Sequence, residues 1–154
     1  MFLRLSSVAS VVGAFVLLAS PVRADDAQDI VGVWVPVGLE SDGTAFSADQ
    51  VKSLAGQLTF TIAKEKITAP LNGANEIGYE LGMEANPKTI DTTDLNGPRK
   101  GELRKGIYEL KGDTFILCMS AKDAPRPQRF ATKTGEEGNG EMMITFQRKK
   151  SGGQ

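Results

Sequence analysis

Apolar and polar residues alternate in short runs along most of this chain, and turn residues break the runs apart. Leu58, Phe60 and Ile62 share one face of a segment whose other face carries Thr59 and Thr61. A period of two marks a half-buried β-strand. The same alternation groups Ile77, Tyr79, Leu81 and Met83, and again Met142, Ile144 and Phe146. Eight strands are predicted, over residues 30–39, 57–63, 66–69, 77–83, 89–93, 103–110, 114–120 and 142–148. Ser41-Asp42-Gly43, Asn72-Gly73, Asn86-Pro87 and Asn96-Gly97-Pro98 punctuate them. Lys111-Gly112-Asp113 is short and Gly-centred, which predicts a tight hairpin between the sixth and seventh. One helix interrupts the series. Ser47-Ala48-Asp49-Gln50 reads as a capping box, Val51 and Leu54 give it an apolar stripe, and Gly56 is expected to end it after about two turns.

Eight strands with short links, and no helices between the later ones, predict an all-β antiparallel meander with one short helix after the first strand. Left open, such a sheet exposes two edges; closing it into a barrel removes them. The interior of an eight-stranded barrel is either filled by side chains or holds one small ligand.

Residues 1–24 stand apart from this pattern. A short basic start (Arg4), an apolar stretch from Leu5 to Leu18 and Val22-Arg23-Ala24 form the three-part pattern of a secretory signal peptide. Cleavage is expected after Ala24, leaving Asp25-Asp26 as a solvated acidic start to a domain of residues 25–150 with a disordered tail, 151–154. The expected location is the periplasm or the medium. No later segment is apolar enough to span a bilayer. The chain holds 18 Lys+Arg against 19 Asp+Glu, and losing Arg4 and Arg23 makes it more acidic still. Such a balance gives no electrostatic reason to bind nucleic acid. There is no His, which removes Ser-His-Asp and Cys-His catalysis and the usual zinc sites. Cys118 is the single cysteine; within Phe115-Ile116-Leu117-Cys118-Met119 it reads as a small buried hydrophobe.

Gly32-Val33-Trp34 near the start of the domain resembles the G-x-W motif that opens the first lipocalin strand, and Arg148 resembles the closing arginine of that family. The resemblance implies a structural latch in which the guanidinium lies across the indole. A closer likeness covers about residues 30–149. Val31-Gly32-Val33-Trp34, Asn86-Pro87-Lys88-Thr89-Ile90-Asp91, the run from Gly106 to Thr114, Leu117-Cys118, and Arg126-Pro127 before Arg129-Phe130 resemble a bacterial, planctomycete-type lipocalin-like domain family of unknown function. This implies an exported small barrel and brings no activity with it. The short helix after the first strand, and the absence of one after the last, depart from ordinary lipocalins.

Several residues are candidates for ligand contact. Arg126, held between Pro125 and Pro127, is placed to clamp a carboxylate or phosphate at the barrel mouth; the structural alternative is a bridge to Asp91, Glu109 or a backbone carbonyl. Arg129 extends that site. Asp91 reads as a polar anchor or as a salt-bridged turn residue. Tyr79 and Tyr108 read as ligand donors or as core side chains whose hydroxyls find backbone partners. Arg99-Lys100 and Arg104-Lys105 read as a solvated basic hairpin. Asp94-Leu95-Asn96-Gly97 fails the register of a calcium loop, and Glu136, Glu137, Asn139 and Glu141 read as an acidic loop, so no metal is assigned and no cofactor.

The expectation is a non-catalytic exported barrel that binds a small apolar or amphipathic ligand. A protein-interaction or structural envelope module, with a filled barrel and contacts through residues 122–130, is the alternative. A hydrolase using Asp91 and Glu109 ranks last, since both carboxylates must share a cleft.

Overall fold

The structure is a computed structural model that describes residues 25–70, 75–134 and 140–150. The predicted signal peptide, the tail, the Asn72-Gly73 turn and Glu136, Glu137 and Asn139 of the predicted acidic loop lie outside the described residues.

A four-residue helix, α1 (Asp26–Asp29), precedes β1 (Gly32–Ser41). A two-residue strand, β2 (Thr44–Ala45), folds back on the end of β1, and α2 (Ala48–Leu58) follows. Then come β3 (Phe60–Ala63), β4 (Lys66–Ala69), β5 (Asn75–Gly82), β6 (Lys88–Asp94), β7 (Leu103–Lys111), β8 (Thr114–Met119) and β9 (Met142–Arg148). Each strand from β3 to β9 pairs antiparallel with the next, and β1 pairs with both β3 and β9. Eight strands therefore close into a barrel with lipocalin-like topology, and β2 is a small appendage.

Closure rests on the β1–β9 ladder, which runs from Trp34 opposite Arg148 to Ser41 opposite Met142. It slips by one residue between Pro36 and Gly38. Pro36 has no N–H to give a ladder, so a bulge is the tolerant place for it. Below the bulge the Arg148 guanidinium lies 4.2 Å from the Trp34 ring centroid. It donates to the backbone carbonyls of Val31 (2.8 Å) and Asp29, while the Trp34 indole N–H donates to the Ile30 carbonyl at 2.7 Å. Gly32 makes the approach feasible: a Cβ there would come within 2.6 Å of Arg148 Nη1. Its φ of 146° also belongs to glycine.

These contacts fasten α1 across one end of the barrel as a floor. Asp26, expected to be solvated, is 2% exposed. Its carboxylate accepts from Lys88 Nζ at 2.6 Å and from the Tyr108 hydroxyl at 2.8 Å. Above the floor an aromatic cluster fills the interior. Phe115 lies 5.5 Å from Trp34, 5.6 Å from Phe146 and 6.3 Å from Tyr108, and Phe60 lies 4.8 Å from Phe146.

The predicted strands are present, with displaced ends. β1 begins at Gly32, because Ile30 caps α1, and runs on to Ser41. The capping box forms as expected, with Ser47 and Gln50 each bonding the other's backbone. Gly56 does not end α2, which continues to Leu58. Burial of Val51 and Leu58 in the core outweighs the weak helix preference of one glycine. The helix packs on β1, beside the upper half that β3 leaves unpaired, since β3 meets only Gly32–Trp34. Gly112, at φ 56°, turns β7 into β8. Among the described residues no helix is long and apolar enough to cross a membrane.

Replacing Arg148 by Lys keeps the charge and loses the fork that spans two carbonyls. The expected outcome is a loss of about 1–2 kcal/mol, for one or two charged hydrogen bonds, read as a lower urea midpoint with an unchanged slope.

Candidate functional site

Strand parity sorts the candidate residues. The inward face carries Ile90, Thr92 and Asp94 on β6, then Arg104, Gly106 and Tyr108 on β7; Asp91, Lys105 and Ile107 point outward.

Tyr108 belongs to the floor. Its ring is 1% exposed, and its hydroxyl is spent on Asp26. Burial first, and the neighbouring carboxylate second, hold that phenol protonated well above its ordinary range. Tyr79 is 8% exposed, and its hydroxyl donates to the Ala63 carbonyl at 2.9 Å. Burial raises its pKa as well. In both, the hydroxyl proton already serves the fold.

Arg126 stands against the outer wall rather than inside the barrel. Its Nη1 donates to the Gly106 carbonyl at 2.7 Å and weakly to Ile90 O at 3.4 Å. Asp91 Oδ1 lies 2.6 Å from the same nitrogen yet receives no hydrogen bond. The N–H vectors go to the carbonyls, so Asp91 is an ionic neighbour and not a forked partner. Arg126 thus pins the β8–β9 connection to the outside of β6 and β7. That connection covers the outward residues Ile107 and Cys118, which are 1% and 0% exposed. Arg129, also on it, is exposed. Its far end is held by Glu40, whose Oε1 accepts from Thr132 N (2.9 Å) and Thr132 Oγ1 (2.7 Å). These bonds, the backbone one foremost, lower the Glu40 pKa.

Asp91 and Glu109 both point outward, but Asp91 faces Lys105, four residues from Glu109. At about 3.3 Å per residue that is roughly 13 Å, and Glu109 pairs with Lys111. They share no cleft.

Two recesses stand out among the described residues. One is a wide open groove of about 890 Å³ along the side wall, lined by Tyr79, Asp91, Met83, Leu95 and Leu103 among others. It borders residues 80–82, which pair with β6 alone, because the β4–β5 side ends with Lys66 opposite Gly78 and the Tyr79 N–H donating to Glu65 O. So Tyr79 and Asp91 both border this groove; Arg126 touches Asp91 without lining it, and Tyr108 and Arg129 are not in its lining.

The second recess is the top of the barrel interior, a cup of about 90 Å³. Every strand from β3 to β9 gives it inward residues. Phe60, Ile67, Leu117 and Ile144 form the apolar bottom, with Met119 and Met142 higher, and Thr92, Asp94, Arg99 and Arg104 supply polarity. Asp94 is ion-paired with Arg99 at 3.1 Å. Arg104, read as part of a solvated hairpin, faces the interior. Its signal lay in the sequence: parity counted back from Tyr108 through Gly106 reaches Arg104. Gly106 also makes room, since a Cβ there would meet Met119 Sδ at 2.4 Å and Cys118 O at 2.8 Å.

Two measurements follow. Cys118 is fully buried, its Sγ 3.7 Å from Ala131 O, and burial pushes its thiol up to about 11. Iodoacetamide at neutral pH is therefore expected to leave native protein unlabelled and to alkylate it fully in urea, as mass spectrometry would show. Glu40 has a depressed folded pKa, so its bonds to Thr132 stabilise the fold above the unfolded value of about 4.3. That contribution disappears as the pH falls through the folded value. Glu40→Gln is expected to flatten the acid limb of a stability-against-pH curve; an unchanged limb would exclude this role.

Searches against protein-family models, curated proteins and solved structures find no match to this chain.

Proposed function

We propose that this protein is an exported, non-catalytic barrel whose upper interior binds a small apolar or amphipathic molecule. The observation that carries the reading is the cup: apolar side chains from five strands, β3, β4, β5, β8 and β9, meet charged side chains from β6, β7 and the loop between them. Apolar lining with a few placed polar groups is the usual make-up of a small-molecule site. Strands hold these groups more rigidly than loops would. Export is supported by the signal-like leader, residues 1–24. Non-catalysis is supported by the lack of histidine and by tyrosine hydroxyls committed to the fold.

A second reading, docking of an envelope protein, draws on the side-wall groove. Met83, Leu95 and Leu103 are 41%, 43% and 48% exposed, and all three line it. Clustered exposed apolar groups mark interaction surfaces more than scattered ones do.

A methyl-resolved NMR titration with 1-pentanol separates the two. Saturable shifts at Leu117, Met119, Met142 and Ile144 are expected, and Met142→Trp, which fills the cup from its rim, is expected to abolish them without unfolding the protein. Shifts confined to Met83, Leu95 and Leu103 would transfer the function to the groove. Intact-mass analysis of the exported protein checks cleavage, with Asp25 the expected first residue.

A further inference from the structure

We infer that the cup selects an anionic head group on a short alkyl stem, and that Arg104 is the residue that reads the charge. The inference rests on the cup being a ligand site and adds the chemistry of the ligand. Two guanidinium groups border the cup, in different states. Arg99 is committed: its Nε lies 3.1 Å from Asp94 Oδ2, and the Asp94 side chain is 12% exposed. The pair is neutral as a unit. Arg104 has an ionic contact with Glu102 alone among the described residues, at 3.8 Å. Charge-assisted N–H···O bonds are about 2.7–2.9 Å long, so this contact leaves the Arg104 donors unspent. Glu102 is also shared with Lys122, again at 3.8 Å. Arg104 therefore presents to the interior a cation that is 26% exposed in its side chain and has donor capacity in hand.

A carboxylate, sulfonate or phosphate monoester head matches that fork with two parallel hydrogen bonds. An ammonium head would meet Arg104 as a like charge and would have to draw Asp94 away from Arg99. A neutral hydroxyl could take one bond and none of the ionic gain. The volume limits the stem. A cup of about 90 Å³ offers the space of about three water molecules in the liquid, enough for a stem of three or four carbons. Longer chains must project through the mouth, or displace Met119 and Met142, whose unbranched side chains repack readily.

The test is a matched series on the purified protein: pentanoate, 1-pentanol and pentylamine, each followed by the methyl signals of Leu117, Met119, Met142 and Ile144. Pentanoate is expected to bind at least about ten-fold more tightly than the alcohol, the scale of a charged hydrogen bond, and pentylamine more weakly than either. Arg104→Gln is expected to erase the pentanoate advantage, bringing pentanoate down to the affinity of 1-pentanol; Arg104→Lys, which keeps the charge, is expected to retain part of it. Equal affinity for pentanoate and pentanol, or an Arg104→Gln protein that still prefers pentanoate, would overturn the assignment of the head group and leave the cup standing. No shift at these methyls with any of the three would overturn both.

Discussion

The ladder between β1 and β9 is the constraint from which the rest follows. Without it the remaining strands form an open meander with bare margins. With it, the first and last strands meet, and Trp34 and Arg148 fall opposite one another. The stacking of guanidinium on indole does more than close a ring. Because Arg148 also holds the carbonyls of Asp29 and Val31, the same side chain draws the chain segment before β1 across the barrel end. Closure and floor are thus one device, built from residues 117 and 119 positions apart in sequence.

The floor and the aromatic stack divide the interior. From Asp26 up through Tyr108, Trp34, Phe115 and Phe146 it is solid, and its buried polar atoms are satisfied within the network. Ring-to-ring spacings of 4.8 to 6.3 Å leave no room for a guest. Space opens above Phe60, Leu117 and Ile144, where the lining turns from rings to branched and thioether side chains. The barrel is therefore packed solid above its floor and recessed at its upper end. Under the proposed function, that geometry favours a small ligand held by its short stem over a deeply swallowed lipid.

The outer wall has a core of its own. Ile107 and Cys118 point away from the barrel, yet the β8–β9 connection buries both. Arg126 at one end and Thr132 on Glu40 at the other tie that connection down. An arginine stiffened by flanking prolines can serve as a rivet as well as a clamp, and here its hydrogen bonds go to the wall's own carbonyls. A rivet of this kind keeps β6 and β7 in register, which in turn sets where Thr92, Asp94 and Arg104 stand inside the mouth.

Much of this was legible along the chain. The period of two located the strands, turn residues located most of their ends, and the resemblance of Gly32, Trp34 and Arg148 to lipocalin positions implied the latch. These features are local, or depend on contacts that few other residue types make, so they survive in a linear reading. Three things required the folded molecule. Asp26 looked like a solvated acid because its partners, Lys88 and Tyr108, are 62 and 82 positions away. Arg104 looked like a surface charge because a hydrophobic pattern assumes that inward means dry, whereas at a barrel mouth water reaches the inner face. Arg126 is held by backbone carbonyls, which carry no residue-specific signature at all. Alternation tells which side chains share a face; only ring closure decides which face encloses the cavity, how far aromatic volume fills it, and which charges are left at its rim.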